Sequence, residues 1–226
     1  MYERMNEVIA LNIPEGNRHS RKTEFPDVAV LLVGHGTRQQ AGQDEFRKLY
    51  RSFDDCIAPL VAELAFLELA EPSISQAVMR IATNKKIRRL LVVPTLLFTA
   101  GHALEDIPRA IAESLRNTGI ELIGQTAAFE CSPEVLQLSA IRFRQTACPE
   151  AECVQHLDHY AINRTRPLTE SAPCTAPCKE AHWILVGRGS SSQSAAAKMR
   201  EFCRLRQHWT PVREATTAFI YGQSPT

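Results

Sequence analysis

His35, Glu68 and His102 lie far apart in this chain, yet their side chains are suited to act together. Two imidazoles and a carboxylate suit a borderline divalent ion such as Co²⁺, Fe²⁺, Ni²⁺ or Zn²⁺, and three protein ligands leave coordination positions open for a reactant. The same groups accept protons near neutrality, imidazole having an ordinary pKa of about 6.5. Taken singly they say little, since a histidine beside glycines is commonly a loop residue and a charged residue at a strand end commonly faces water. What sets them apart is that each follows a successive strand-like run.

Gly34-His35-Gly36 invites a second chemistry, because glycines let backbone amides approach an anion at a helix start. The third glycine of a dinucleotide fingerprint is replaced by Gln39, and no Gly-Lys-Ser/Thr follows, so a nucleotide is not expected. The amides of Gly34 and Gly36, helped by Arg38, are read instead as a seat for a substrate carboxylate.

The elements that must position these residues follow from the periodicity. Val28–Val33 is a continuous β-branched and leucine run, as for a strand buried on both faces. Phe46, Leu49, Tyr50 and Phe53 then predict a helix with one apolar stripe. Leu64–Leu67 reads as a second strand, and Glu71-Pro72-Ser73 opens a helix with Ile74, Ala77, Val78 and Ile81 inward. Arg89–Val93 is the third strand, stopped by Pro94. A loop carrying Gly101-His102 leads to a helix started by Pro108, with Ile111 and Leu115 inward and Gly119 past its end. Ile120–Ile123 is a fourth strand and Pro133–Ala147 a fourth helix. Alternating strands and helices predict an α/β domain with a four-stranded parallel sheet in three layers. Loops at the carboxyl ends of such strands share one edge, so His35, Glu68 and His102 can converge there.

Composition narrows the classes. The chain has 226 residues, 44% hydrophobic and 23% charged, with a net charge of +1, so no global field favours nucleic acid or a membrane surface. Met1–Phe25 lacks the apolar run of a signal peptide, and no stretch approaches the length of a membrane span. A cytoplasmic protein is expected, its seven cysteines mostly reduced thiols or metal ligands.

Four segments result. Residues 1–26 are an N-terminal extension, and 27–147 form the domain with the metal site. Residues 148–181 are a Cys/Pro-rich linker, and 182–226 form an incomplete second repeat. In the linker, Cys148, Cys153, His156, His159, Cys174 and Cys178 offer ligands, but their spacings match no standard zinc or iron–sulfur pattern and are read as incidental. In the last segment, Ile184-Leu185-Val186-Gly187-Arg188-Gly189-Ser190 repeats Leu31-Leu32-Val33-Gly34-His35-Gly36-Thr37, and Ala218-Phe219-Ile220 repeats Ala65-Phe66-Leu67 at the same offset. Pro225-Thr226 falls on Pro72-Ser73, so the repeat stops where its second helix would begin. Pairing of two copies through the incomplete repeat is left open.

The motifs Leu31–Arg38, Ala65–Ser73, Val92-Val93-Pro94, Gly101-His102 and Asp106-Ile107-Pro108 together resemble the class II chelatases of the sirohydrochlorin cobaltochelatase (CbiX-type) family. That resemblance implies insertion of a divalent metal, Co²⁺ first and Fe²⁺ or Ni²⁺ as relatives' alternatives, into a sirohydrochlorin-type tetrapyrrole on the route to cobalamin or siroheme. A macrocycle receiving a metal must shed two pyrrole protons, which suits the imidazoles. His35, Glu68 and His102 are implied as catalytic metal ligands, with the metal as substrate and no organic cofactor. Arg188 and Tyr221 replace His35 and Glu68 in the repeat, so it lacks the same site. A guanidinium pairs carboxylates bidentately, which suits Arg188 to the acetate and propionate groups of the substrate. The rival class is a metal or tetrapyrrole carrier without turnover.

Overall fold

A computed structural model describes residues 25–98, 105–147, 181–187, 189, 193–207 and 212–220. The chain runs β1 (Val28–Gly34), α1 (Gln40–Ile57), β2 (Val61–Phe66), α2 (Ile74–Thr83), β3 (Arg89–Pro94), α3 (Ile107–Leu115), β4 (Glu121–Gln125) and α4 (Pro133–Ala147). After the linker follow β5 (His182–Gly187), α5 (Gln193–Gln207) and β6 (Glu214–Phe219).

The first four strands form one parallel sheet in the order β2-β1-β3-β4. Every residue of β1 is buried, which is why it reads as an unbroken apolar run. Ala29, Leu31 and Val33 face α2 and α3, packing with Ile74, Ala77, Val78, Ile81, Ile107 and Ile111 into one core. The opposite face meets α1, where the Phe46 and Phe66 rings lie 5.2 Å apart and the Tyr50 hydroxyl donates to the Ala62 carbonyl at 3.0 Å.

Several sequence expectations shift at their edges. β2 begins at Val61 rather than Leu64, paired with Ala29, and ends at Phe66. Glu63 interrupts its apolar run, yet backbone pairing to Leu31 continues past it. β3 includes Pro94 as its last residue, and the pairing with β4 ends before it, at Val92↔Gln125. β4 runs Glu121–Gln125, displaced from Ile120–Ile123, with an irregularity opposite Leu90/Leu91. Within Glu71-Pro72-Ser73, which opens α2 as expected, Ser73 is the cap: its hydroxyl accepts from Gln76 N and the Gln76 side chain accepts from Ser73 N. α1 follows the expected stripe but buries none of it fully, and Leu49 is 49% exposed. Its stripe lies over edge strand β2, which covers only part of the helix.

At the amino edge, the Arg89 guanidinium donates to both Asp27 carboxylate oxygens at 2.8 and 2.7 Å, clamping the starts of β1 and β3. Strands β5 and β6 form a separate parallel pair running His182↔Glu214 to Gly187↔Phe219. Its element bounds and register follow those of β1-α1-β2 at the sequence offset of the repeated motifs. Ala196, Met199, Phe202 and Cys203 of α5 are buried, whereas Ile184 and Val186 on the other face of β5 are exposed. Buried Arg206 joins the two units, donating to the Ser139 hydroxyl and carbonyl and lying over the rings of Phe143 and Trp183.

Candidate metal site

The site grows from the way β1 and β2 end. Their parallel pairing runs on beyond the strands: Leu67 N donates to Gly34 O at 2.8 Å and Glu68 N to His35 O at 3.1 Å. This extension lays the His35 and Glu68 backbones side by side. The turn beyond is fixed by Phe66 N donating to Pro72 O at 2.8 Å and by the Arg47 guanidinium donating to Glu71 O at 3.1 Å. Leu69 takes a positive φ of 62° to complete it.

Two glycines are required here on steric grounds. A Cβ at Gly36, which has φ of +97°, would meet the Glu68 carbonyl oxygen at 1.7 Å, so only glycine permits the approach. A Cβ at Gly34 would lie 2.5 Å from the Phe46 ring, which closes over the end of β1.

His35 Nε2 lies 3.6 Å from Glu68 Oε1, beyond an ordinary hydrogen bond. His35 Nδ1 is 3.3 Å from the Gly36 carbonyl oxygen. A carbonyl can only accept, so in this contact Nδ1 is the donor, an arrangement compatible with ligation through Nε2. With metal–ligand distances of about 2.1 Å and a tetrahedral angle, two ligands of one ion stand about 3.4 Å apart, so the observed separation fits shared coordination. An imidazole that ligates through one nitrogen while the other donates to a backbone carbonyl is the usual arrangement around protein-bound metals. Both side chains remain partly exposed, so the site is open to solvent.

Strand order sets where the loop after β3 leaves the sheet. The chain moves from β1 to β2 on one side and from β3 to β4 on the other, so the loops after β1 and β3 flank a topological switch point, where α/β sheets bind ligands. The loop after β3 starts at Thr95, whose amide and hydroxyl donate to Val33 O at 2.8 and 2.9 Å, tying it to the strand that leads into His35. Gly101 and His102, within that loop, lie outside the described residues. So do Arg188, Tyr221 and the linker's cysteines and histidines, while Arg38 is exposed ahead of α1. Among the described residues no cluster of three or more His, Cys, Asp or Glu could hold a metal, and no helix is long and apolar enough to cross a membrane.

Sequence reasoning did not reveal Thr95, nor the contacts that α5 makes with the neighbouring loops. A threonine directly after a buried strand is a weak signal, because only the pairing with β1 gives its hydroxyl a partner.

The structure thus sets a histidine and a carboxylate side by side on the carboxyl edge of an open parallel α/β sheet. Residues 29–146 match the CbiX family, and the chain belongs to it. The sirohydrochlorin ferrochelatase of Bacillus subtilis is 26% identical over 87% of this chain and 64% of its own length. The sirohydrochlorin cobaltochelatase of Sulfurisphaera tokodaii is 38% identical over 88 residues, 37% of this chain and 68% of its own. SirB from Bacillus subtilis with Fe³⁺ superposes with a TM-score of 0.66 at 26% identity, covering 88% of this chain and 68% of that one. The sirohydrochlorin chelatase SirB of subspecies spizizenii with cobalt gives 0.64 at 25%, covering 85% and 67%. The chain thus spans about two thirds of the length of these longer relatives.

Proposed function

We propose that the protein inserts a divalent metal into a sirohydrochlorin-type tetrapyrrole, with residues 27–147 handling the metal. The observation that carries this reading is the His35–Glu68 pair: an imidazole and a carboxylate 3.6 Å apart on the edge of a fold whose relatives are named as sirohydrochlorin chelatases. His102 completes the ligand set from the loop after β3. The metal is a substrate, so the donors must bind it and then release it. Glu68 supplies charge that attracts the cation, and the neutral imidazoles accept the pyrrole protons as the macrocycle takes the ion. Partial exposure of the pair leaves one side for the ring to approach.

Co²⁺ is the metal favoured here, because relatives with 32–38% identity over 83 to 88 residues are named cobaltochelatases. Fe²⁺ is the second candidate, supported by the ferrochelatases that match more of the chain. The Gly36 amide and Arg38 are assigned to the substrate's carboxylates, joined by Arg188 from the repeated segment, while the Gly34 amide faces β2 in the sheet ladder. The protein is placed in the cytoplasm.

Purified protein mixed with sirohydrochlorin and Co²⁺ or Fe²⁺ is followed by the absorption of the macrocycle. Multiple turnovers are expected, faster with Co²⁺. Stoichiometric uptake that stops after one equivalent would convert the reading to that of a carrier.

A further inference from the structure

We propose that Gln43 and Arg47 of α1 form a relay that sets the separation of His35 and Glu68, and so act as positioning residues for metal binding; the inference rests on the metal-site reading above. The two residues sit on different loops. Their backbones pair through Glu68 N and His35 O, and the chain then turns into α1 after one and into α2 after the other. Beyond that pairing, the first turns of α1 tie the two loops together.

Gln43, Phe46, Arg47 and Tyr50 share one face of α1 at helical spacing. Phe46 and Tyr50 engage β2, whereas Gln43 and Arg47 reach the loops at the carboxyl edge. Gln43 Nε2 donates to Thr37 O, two residues after His35, at 2.9 Å. Arg47 Nη2 donates to Gln43 Oε1 at 3.2 Å and to Glu71 O, three residues after Glu68, at 3.1 Å. A carbonyl only accepts and a guanidinium only donates, so a single orientation of the Gln43 amide satisfies both partners. The contacts Thr37–Gln43–Arg47–Glu71 therefore run without a break from one loop to the other.

Each end of the relay is itself fixed. Thr37 Oγ1 accepts from Gln39 N at 3.2 Å, and a Cβ at Gly42 would meet the Thr37 methyl group at 2.8 Å, so Thr37 lies directly against α1. The Arg47 guanidinium lies over the Phe66 ring, 5.7 Å from its centroid, and Nη1 donates to Asp44 Oδ1 at 3.3 Å. Gln43 and Arg47 are only half-buried, so filling the core does not account for them. A shift of either loop alters the 3.6 Å between His35 Nε2 and Glu68 Oε1. Groups that orient ligands in this way govern metal affinity without touching the ion. The charge of Arg47 works against a nearby cation, which leaves geometry as its contribution.

The test is a Co²⁺ titration of the whole chain, read through the visible absorption bands that report coordination geometry. Gln43→Met and Arg47→Met keep the length of each side chain and remove its hydrogen bonds. Each should weaken Co²⁺ binding roughly two- to tenfold and shift the bands. Loss of the Arg47 charge alone would strengthen binding, so weaker binding by Arg47→Met separates positioning from electrostatics. Arg47→Lys keeps the charge and one donor group, and should recover part of the loss. Lys48→Ala removes an exposed contact with Glu45 on the same helix and should bind Co²⁺ as the parent does. Parent-like affinity and bands in both methionine variants would overturn the positioning role and leave the metal site standing. An equal loss in Lys48→Ala would overturn it too, by reducing the effect to helix stability. A parent chain that binds no Co²⁺ would remove the metal site and this inference with it.

Discussion

His35 and Glu68 meet because two strands keep hydrogen bonding after their side-chain alternation has ended, so that Nε2 and Oε1 come within 3.6 Å on paired backbone. Two residues held on one framework should act as a unit. Glu68→Gln keeps the shape but removes the charge, and His35→Ala removes the lone pair. Each should lower kcat/KM for metal insertion about 10²- to 10³-fold, with the double variant far less than additive. Steady-state kinetics on the four proteins measures this, and additive losses would mean that the two residues work separately.

Gly36→Ala should damage both stability and activity. The added methyl group would overlap the Glu68 carbonyl oxygen at 1.7 Å and sit at a φ of +97°. Backbone strain alone costs about 1–2 kcal/mol, and the clash adds to it. Urea unfolding should show a loss of about 2 kcal/mol or more, and metal affinity should fall because Glu68 must move. An alanine variant with native stability would show that the turn after β2 is not fixed as described.

Asp27 should matter for stability and not for chemistry. The hydrogen bonds from Arg89 hold its carboxyl below the ordinary value of 3.8. A lowered folded-state pKa stabilises the fold above the ordinary value, and that contribution is lost as pH falls through the lowered one. The thermal midpoint of Asp27→Asn should therefore lie below that of the parent at pH 7, converge with it in strong acid, and leave kcat/KM unchanged. A constant gap down to strongly acidic pH would count against the clamp.

Glu63 predicts the opposite sign. Burial on β2 raises its carboxyl above the ordinary value of 4.5. The stability of the parent is then greatest below that value and declines as pH rises through the raised one, where the carboxylate must ionise in a poorly solvated place. Glu63→Gln should match the parent in acid and exceed it at pH 7. Thermal melts across pH 4 to 8 check this, and a variant less stable at neutral pH would contradict it.

What the sequence discloses and what it conceals divide along contact range. β1 and β3 are legible because burial on both faces demands an unbroken apolar run, and α2 because its period matches a single core face. The start of β2 is not, since Glu63 looks like a loop residue until β1 is beside it. The His35 and Glu68 placement follows from strand order alone. The contact of His35 Nδ1 with the Gly36 carbonyl depends on the turn at Gly36, and the contacts of Thr95, Lys198 and Phe202 join segments remote in the chain. No periodicity encodes those.

Whether His35 and His102 handle metal for a chelation reaction is decided by turnover of Co²⁺ into sirohydrochlorin, measured for the purified chain beside His35→Ala and His102→Ala. The parent should insert many metal ions per protein molecule, and both variants should lose turnover with the fold intact by circular dichroism. Turnover that survives both substitutions would contradict the assignment.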